Sequence, residues 1–99
     1  LEKLSPHFGL ADVGELIRLG HIKATRSARE GAVALGIDFQ GMIDVVAKLT
    51  IRDFHKSMTT HADHTIWQDV YHAQAPDGRS VYLKLTIIDS VLIVSFKEL

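Results

Sequence analysis

The reading of this chain turns on "DFHKSMTTHADHTIWQDVY", residues Asp53–Tyr71. Its apolar residues alternate as in a β-hairpin, yet Lys56 stands between Phe54 and Met58, and Gln68 between Ile66 and Val70. Successive strand side chains point to opposite faces, so Lys56 and Gln68 each interrupt a row of apolar residues. A hairpin built only for packing would carry apolar side chains at both positions. Either that face is half buried, or a polar site is cut into it.

Downstream, the pattern continues as strands, giving four in all at about 53–60, 65–74, 80–88 and 91–97. Upstream, it changes to helical spacing. "LADVGELIRLG" places Leu10, Val13, Leu16 and Ile17 on one face and stops at Gly20. "SAREGAVALG" opens with Ser27 and Glu30 at the spacing of a capping box and ends at Gly36. "DFQGMIDVVAKL" sets Met42, Ile43, Val46 and Leu49 on a third helix with Asp38 as its N-cap. "HIKAT" is a short strand between the first two helices. Helices first and strands afterwards predict an α+β fold, with N-terminal helices packed on one face of a C-terminal antiparallel β-sheet. At 99 residues the expectation is a single domain spanning 1–99.

Loop lengths decide which strand residues share a face. A two-residue turn at Asp89-Ser90 sets Ile88 across from Val91, Tyr82 across from Lys97 and Lys84 across from Ser95. Leu83, Leu85, Ile87, Leu92, Val94 and Phe96 then form the core side. Pro76-Asp77-Gly78 reads as a type I turn closed by a left-handed glycine, which pairs Ala75 with Arg79, His72 with Tyr82 and Gln68 with Thr86. A three-residue loop at His61-Ala62-Asp63 sets Lys56 opposite Gln68, Phe54 opposite Val70 and Met58 opposite Ile66. All three turns bring Lys56, Gln68, Tyr82 and Lys97 out on the face away from the core. Tyr82 lies four residues from Thr86, about 13 Å along a flat strand, so register alone does not make a compact site.

Composition narrows the chemistry. The chain is 46% apolar and 23% charged, with net charge -1, far from the strongly basic balance usual in nucleic-acid-binding domains. Residues 1–50 hold six basic and six acidic side chains, and residues 51–99 hold five and six. Any RNA site must therefore come from the placement of charge. The absence of cysteine removes disulfides, thiolate zinc sites and cysteine nucleophiles, and fits a reducing compartment. No apolar run reaches the ~18 residues of a membrane span and no signal-peptide pattern opens the chain, so the expected location is cytoplasmic.

Two lysines, a tyrosine and a glutamine suit phosphate chemistry without a metal. Ammonium groups stabilise charge on a phosphoryl centre, tyrosine holds or transfers a proton, and glutamine orients a ribose or base. An unperturbed lysine is neutral in fewer than about one molecule in a thousand at pH 7, so Lys56 and Lys97 read first as electrostatic groups. Burial beside Phe54 and Met58 would lower the pKa of Lys56 toward use as a base. The histidines do not converge: His55 is expected on the face away from Lys56, across from Asp69, while His61 and His64 sit at the turn. No metal or other cofactor is expected. Gly-rich phosphate loops, Gly-x-Ser-x-Gly and His-Glu-x-x-His are all missing. Trp67 falls on the core side and is expected in the core. A plainly solvated sheet face, a binding module that does not cut, and a histidine-dependent metal hydrolase are the competing readings.

At these residues the sequence resembles the motility quorum-sensing regulator (MqsR) toxins of type II toxin–antitoxin systems. The likeness covers essentially the whole chain and is densest in "DFHKSMTTHADHTIWQDVY" and "VYLKLTIIDSVLIVSFKEL", with "KATRSA", "LGIDFQGM" and "SPH" in support. The resemblance implies a fold similar to the RelE and YoeB ribonucleases and an mRNA-cleaving activity without metal. In such toxins the ribose 2′-hydroxyl attacks, leaving a 2′,3′-cyclic phosphate and a 5′-hydroxyl, with a preference for GC-containing triplets such as GCU. It assigns the catalytic set to Lys56, Gln68, Tyr82 and Lys97. It also implies an MqsA-like antitoxin partner, to which any zinc and helix-turn-helix would belong. The segment "HAQAPDGRS" departs from the family's pattern in composition and length.

Overall fold

The structure, a computed structural model, describes every residue from Leu1 to Leu99. The chain runs Glu2–Lys3 (β1), Leu10–Arg18 (α1), Ile22–Ala24 (β2), Arg26–Ala34 (α2), Phe39–Ala47 (α3), Phe54–Thr59 (β3), Trp67–Gln74 (β4), Ser80–Ile88 (β5) and Ser90–Glu98 (β6). The strands form one sheet in the order β1-β3-β4-β5-β6-β2, antiparallel except for β2, which runs parallel to β6. Three helices pack on one face, which is the α+β arrangement expected. The short strand read in "HIKAT" is present, whereas β1 carried no sequence signal strong enough to predict it.

Helix caps follow local chemistry with one change. Asp38 caps α3 as expected, accepting from the Gly41 amide at 2.8 Å. The cap of α2 is Thr25 and not Ser27. Its hydroxyl accepts from the Ala28 amide at 3.1 Å and donates to the Val94 carbonyl at 2.9 Å, so one side chain caps the helix and ties it to β6. Glu30, free of a capping role, pairs instead with Arg26 one turn back at 3.1 Å.

The sheet contributes Tyr71, Leu83, Leu85, Val91, Ile93 and Phe96 to the core, where each is at most 1% exposed, facing Val13, Ala32, Met42 and Val46 of the helices. Leu92 and Val94, expected on this side, are not in it. The β5–β6 turn is tighter than expected: Ile88 lies across from Ser90, with Asp89 alone at the apex at φ 63°. That shift brings Val91 and Ile93 to the core side. A β-bulge between the Lys84–Ser95 and Leu85–Ile93 pairs, with Val94 unpaired, then restores the expected register beyond it. Tyr82 therefore lies across from Lys97 and Leu83 across from Phe96, as the turn arithmetic gave by a different route. The β4–β5 hairpin is as expected, with the Ala75 amide bonded to the Arg79 carbonyl at 2.8 Å and Gly78 at φ 88°.

Between β3 and β4 the loop is longer than the predicted His61-Ala62-Asp63. Asp63 holds it open: its Oδ1 accepts from the Thr65 amide and hydroxyl, and its own amide donates to the Thr60 hydroxyl. The register moves by two residues, so Lys56 faces Val70 and Met58 faces Gln68. An even shift keeps every side chain on its predicted face. A second bulge, at His55, breaks that parity for Phe54, which pairs with Tyr71 on the helix side and meets its ring edge-on at 5.5 Å. Tyr71 is fully buried and its hydroxyl has no partner; burial, then the charges of Asp69 and Asp53, push its pKa up to about 12. It stays neutral and serves as an apolar wall.

Helix α2 lies very close to β6. A Cβ at Gly31 would stand 1.9 Å from the Phe96 carbonyl oxygen and 3.3 Å from the Lys97 Cβ. Alanine in mid-helix is favoured over glycine by about 1 kcal/mol, but displacing a packed strand backbone costs about 1–3 kcal/mol, and the strand cannot yield as a flexible side chain would. Gly31→Ala is therefore expected to lower the midpoint of urea unfolding despite its better helix propensity. An unchanged or raised midpoint would show that the helix can lift without cost.

Candidate active site on the open sheet face

The helices cover one face of the sheet, and the other carries three successive rows of side chains. Met58, Gln68 and Thr86 lie in the first, Lys56, Val70, Lys84 and Ser95 in the second, and His72, Tyr82 and Lys97 in the third. Rows on one face are about 7 Å apart along a strand, and neighbouring strands about 4.8 Å apart. Of the four residues read from the sequence, Tyr82 and Lys97 are in contact, the Lys97 Nζ lying 5.4 Å from the centroid of the Tyr82 ring. Lys56 is one row away and Gln68 two. The gap between Gln68 and the Tyr82–Lys97 pair, anticipated from strand geometry, is real, and Lys84 lies in the row between them.

Val70 is fully buried, although it stands on the open face and outside the helix-side core. It is the cross-strand neighbour of both Lys56 and Lys84, residues whose long aliphatic stems suit them to cover an apolar side chain while keeping the charged end in water. An apolar floor beneath the lysines is what the alternation in the quoted stretch produces.

The three lysines differ in their surroundings. Lys56, with 30% of its side chain exposed, is paired at 2.7 Å with Glu2 of the edge strand β1. The hydrogen bond that Lys56 donates to that carboxylate, followed by the attraction of the opposite charges, raises the Lys56 pKa and lowers that of Glu2. The alternative in which burial lowers the Lys56 pKa toward use as a base is not what the structure shows: Phe54 faces the other way and Glu2 favours the charged ammonium, in keeping with the electrostatic reading of this lysine. Lys97 is exposed and lies beside the Tyr82 ring. Lys84 is partly buried, has no carboxylate partner, and its pKa is lowered by burial and then by the charges of Lys97 and Lys56.

Two histidines join this face. The bulge in β3 turns His55 outward, away from its expected pairing with Asp69, and stacks it on His72 at 4.2 Å between ring centroids. His72 in turn lies 6.4 Å from the Tyr82 ring. Asp69 is fully buried on the other side and accepts from the backbone amides of His7 and Phe8 at 3.0 and 2.9 Å. It anchors the N-terminal segment whose first strand delivers Glu2. Trp67, expected in the core, lies outside it; the His7 ring stacks on it at 5.4 Å and the Lys3 Nζ sits 4.1 Å from its centroid.

No three acidic or histidine side chains converge in the chain. The larger cavity, about 290 Å³, is lined by Asp44, Val45, Lys48, Asp53 and the start of the β4–β5 turn, and includes none of the open-face lysines. The polar face is therefore an open surface, suited to an extended polymer more than to an enclosed small molecule.

Residues 5–98 match the family described as motility quorum-sensing regulator, toxin of MqsA. The chain belongs to this toxin family. It is 53% identical to the mRNA interferase toxin MqsR of Escherichia coli (strain K12) over 98 residues, which is 99% of this chain and 99% of that protein. The resemblance read from the sequence is confirmed across the chain. Three residues of this face carry no sequence signal that marks them. Lys84, across from Ser95, is distinguished by its surroundings and not by its residue type, His55 reaches the face only through the bulge, and Glu2 only through a two-residue strand without apolar alternation.

Since Glu2 is the chief cause of the raised Lys56 pKa, Glu2→Gln should lower it. An NMR titration of the lysine side-chain resonances checks this. A Lys56 pKa identical in the variant and the parent would remove the pair as a control on that ammonium.

Proposed function

We propose that the protein is an mRNA-cleaving toxin, acting as a sequence-selective endoribonuclease that needs no metal. The observation that carries this reading is the Tyr82–Lys97 pair, with Lys56 one row away, on the uncovered sheet face of a chain 53% identical to an mRNA interferase. Residues 1–99 act as one ribonuclease toxin domain. Phosphoryl transfer to a neighbouring hydroxyl asks little of a protein beyond positioning, charge stabilisation and two proton transfers.

In this reading the RNA backbone lies along the lysine rows. The ribose 2′-oxygen attacks the adjacent phosphorus, and the ammonium groups of Lys56 and Lys97 neutralise the charge that gathers on the phosphorane oxygens. Glu2 supports that role by keeping Lys56 protonated until the phosphate takes its place. Tyr82 supplies a proton to the departing 5′-oxygen, and Gln68, two rows off, contacts a flanking nucleotide. The products are a 2′,3′-cyclic phosphate and a 5′-hydroxyl. The preferred sites are GC-containing triplets such as GCU. Cutting mRNA inhibits translation and growth, places the activity in the cytoplasm, and requires restraint by an MqsA-like antitoxin, consistent with the family description. No helix is long and apolar enough to cross a membrane.

A defined RNA containing one GCU triplet, incubated with the purified protein in EDTA, tests the reading. Cleavage in EDTA is expected. Lys56→Ala should lower the rate by about 10²–10³-fold and Tyr82→Phe by about 10²–10⁴-fold, both with unchanged thermal unfolding. No cleavage by the folded parent protein would favour a binding module on the same face, and cleavage only after added zinc would favour a metal hydrolase.

A further inference from the structure

We propose that Lys84 is the general base of the cleavage reaction, taking the proton from the attacking 2′-hydroxyl. The inference rests on the ribonuclease reading and assigns the proton acceptor within it. Lys84 occupies the centre of the polar face: Lys56 lies two strands away in its own row, and Tyr82 and Lys97 stand in the next row. Tyr82 and Lys84 are two residues apart on one strand, about 7 Å along it, which lets them reach opposite oxygens of one phosphodiester.

The surroundings single out this lysine from its neighbours. Lys56 has Glu2 at 2.7 Å and is held charged. Lys97 is exposed, with its ammonium beside the Tyr82 ring. Lys84 stands partly buried next to the apolar floor of Val70, with no carboxylate within ion-pair distance. The charged or titratable groups around it are Lys56 and His55 of β3, His72 of β4, Tyr82 of β5 and Lys97 of β6, with Glu2 of β1 committed to Lys56. Burial and two like charges both disfavour its ammonium form, and each unit of lowered pKa makes the neutral amine about tenfold more abundant at neutral pH.

The step balances. The neutral Lys84 Nζ accepts the 2′-hydroxyl proton as the 2′-oxygen bonds to phosphorus. The bond from phosphorus to the 5′-oxygen breaks, and that oxygen takes the Tyr82 hydroxyl proton. Lys84 then returns its proton to solvent and Tyr82 regains one, with no net change.

The chain contains no cysteine, so Lys84→Cys creates a single thiol. Alkylation with 2-bromoethylamine converts that thiol to a lysine analogue whose amine is less basic than that of lysine. Single-turnover cleavage of a defined RNA in EDTA is followed from acid to alkaline pH for the parent, Lys84→Arg, Lys84→Cys and the alkylated Lys84→Cys. The parent rate should rise with pH, and both unmodified variants should fall by about 10²–10⁴-fold. Alkylation should restore cleavage with the rising limb moved to lower pH. Thermal unfolding is recorded for each, and Lys84→Arg, which keeps the stem and the charge, guards against a folding defect in the cysteine variant. A Lys84→Arg protein that cuts at the parent rate, or an alkylated protein with the parent's pH profile, overturns the assignment and leaves the ribonuclease reading standing. A folded parent protein that does not cut overturns both.

Discussion

Three helices need one face of the sheet, and that need governs everything on the other. Leu83, Leu85, Val91, Ile93 and Phe96 must all point at the helices, and strand alternation then sends their neighbours the opposite way. Fully burying a side chain of this size contributes about 1.5–3 kcal/mol, so slipping a strand by one residue would forfeit several such contributions. The two bulges answer to this constraint. At Val94 the bulge reconciles a one-residue turn with the packing of Phe96, and at His55 it lets Phe54 join Tyr71 while Lys56 stays outside. The polar face is thus the complement of the core, and its register is as well determined as the core's.

That complement gathers positive charge in a chain whose net charge is -1. Three lysines come from β3, β5 and β6, and Glu2, the carboxylate paired with Lys56, is brought by the first strand. The same N-terminal segment is held at its far end by the buried Asp69, which accepts two backbone amides. Charge-assisted bonds of this kind are worth about 1.5–3 kcal/mol each, enough to fix a segment that contributes little to the core. The N-terminus therefore acts through position: it neutralises one lysine and leaves the other two without a counter-charge.

The fold class, the helix assignments and the faces of the four C-terminal strands were legible in the sequence because periodicity reports burial directly. Turn geometry was legible only where proline and glycine dictated it, as at Pro76-Asp77-Gly78. It failed at Asp89, where a non-glycine residue takes a positive φ, and at Asp63, where side-chain hydrogen bonds extend the loop. The face of Tyr82 and Lys97 was still right, because the bulge at Val94 compensates for the turn. His55 and Trp67 were misplaced for reasons alternation cannot encode: a bulge in one case, and a neighbour more than fifty residues away in the other. The face of Lys84 is legible from alternation, but its distinction lies in what surrounds it and not in its residue type.

The central claim is that RNA is handled on the sheet face the helices leave bare. Mapping amide and lysine NMR shifts on titration with an RNA carrying a 2′-deoxy residue at the cleavage position tests it directly. The account predicts perturbations centred on Lys56, Val70, His72, Tyr82, Lys84 and Lys97. Perturbations confined to the helices, or to the cavity beside Asp44 and Lys48, would contradict it.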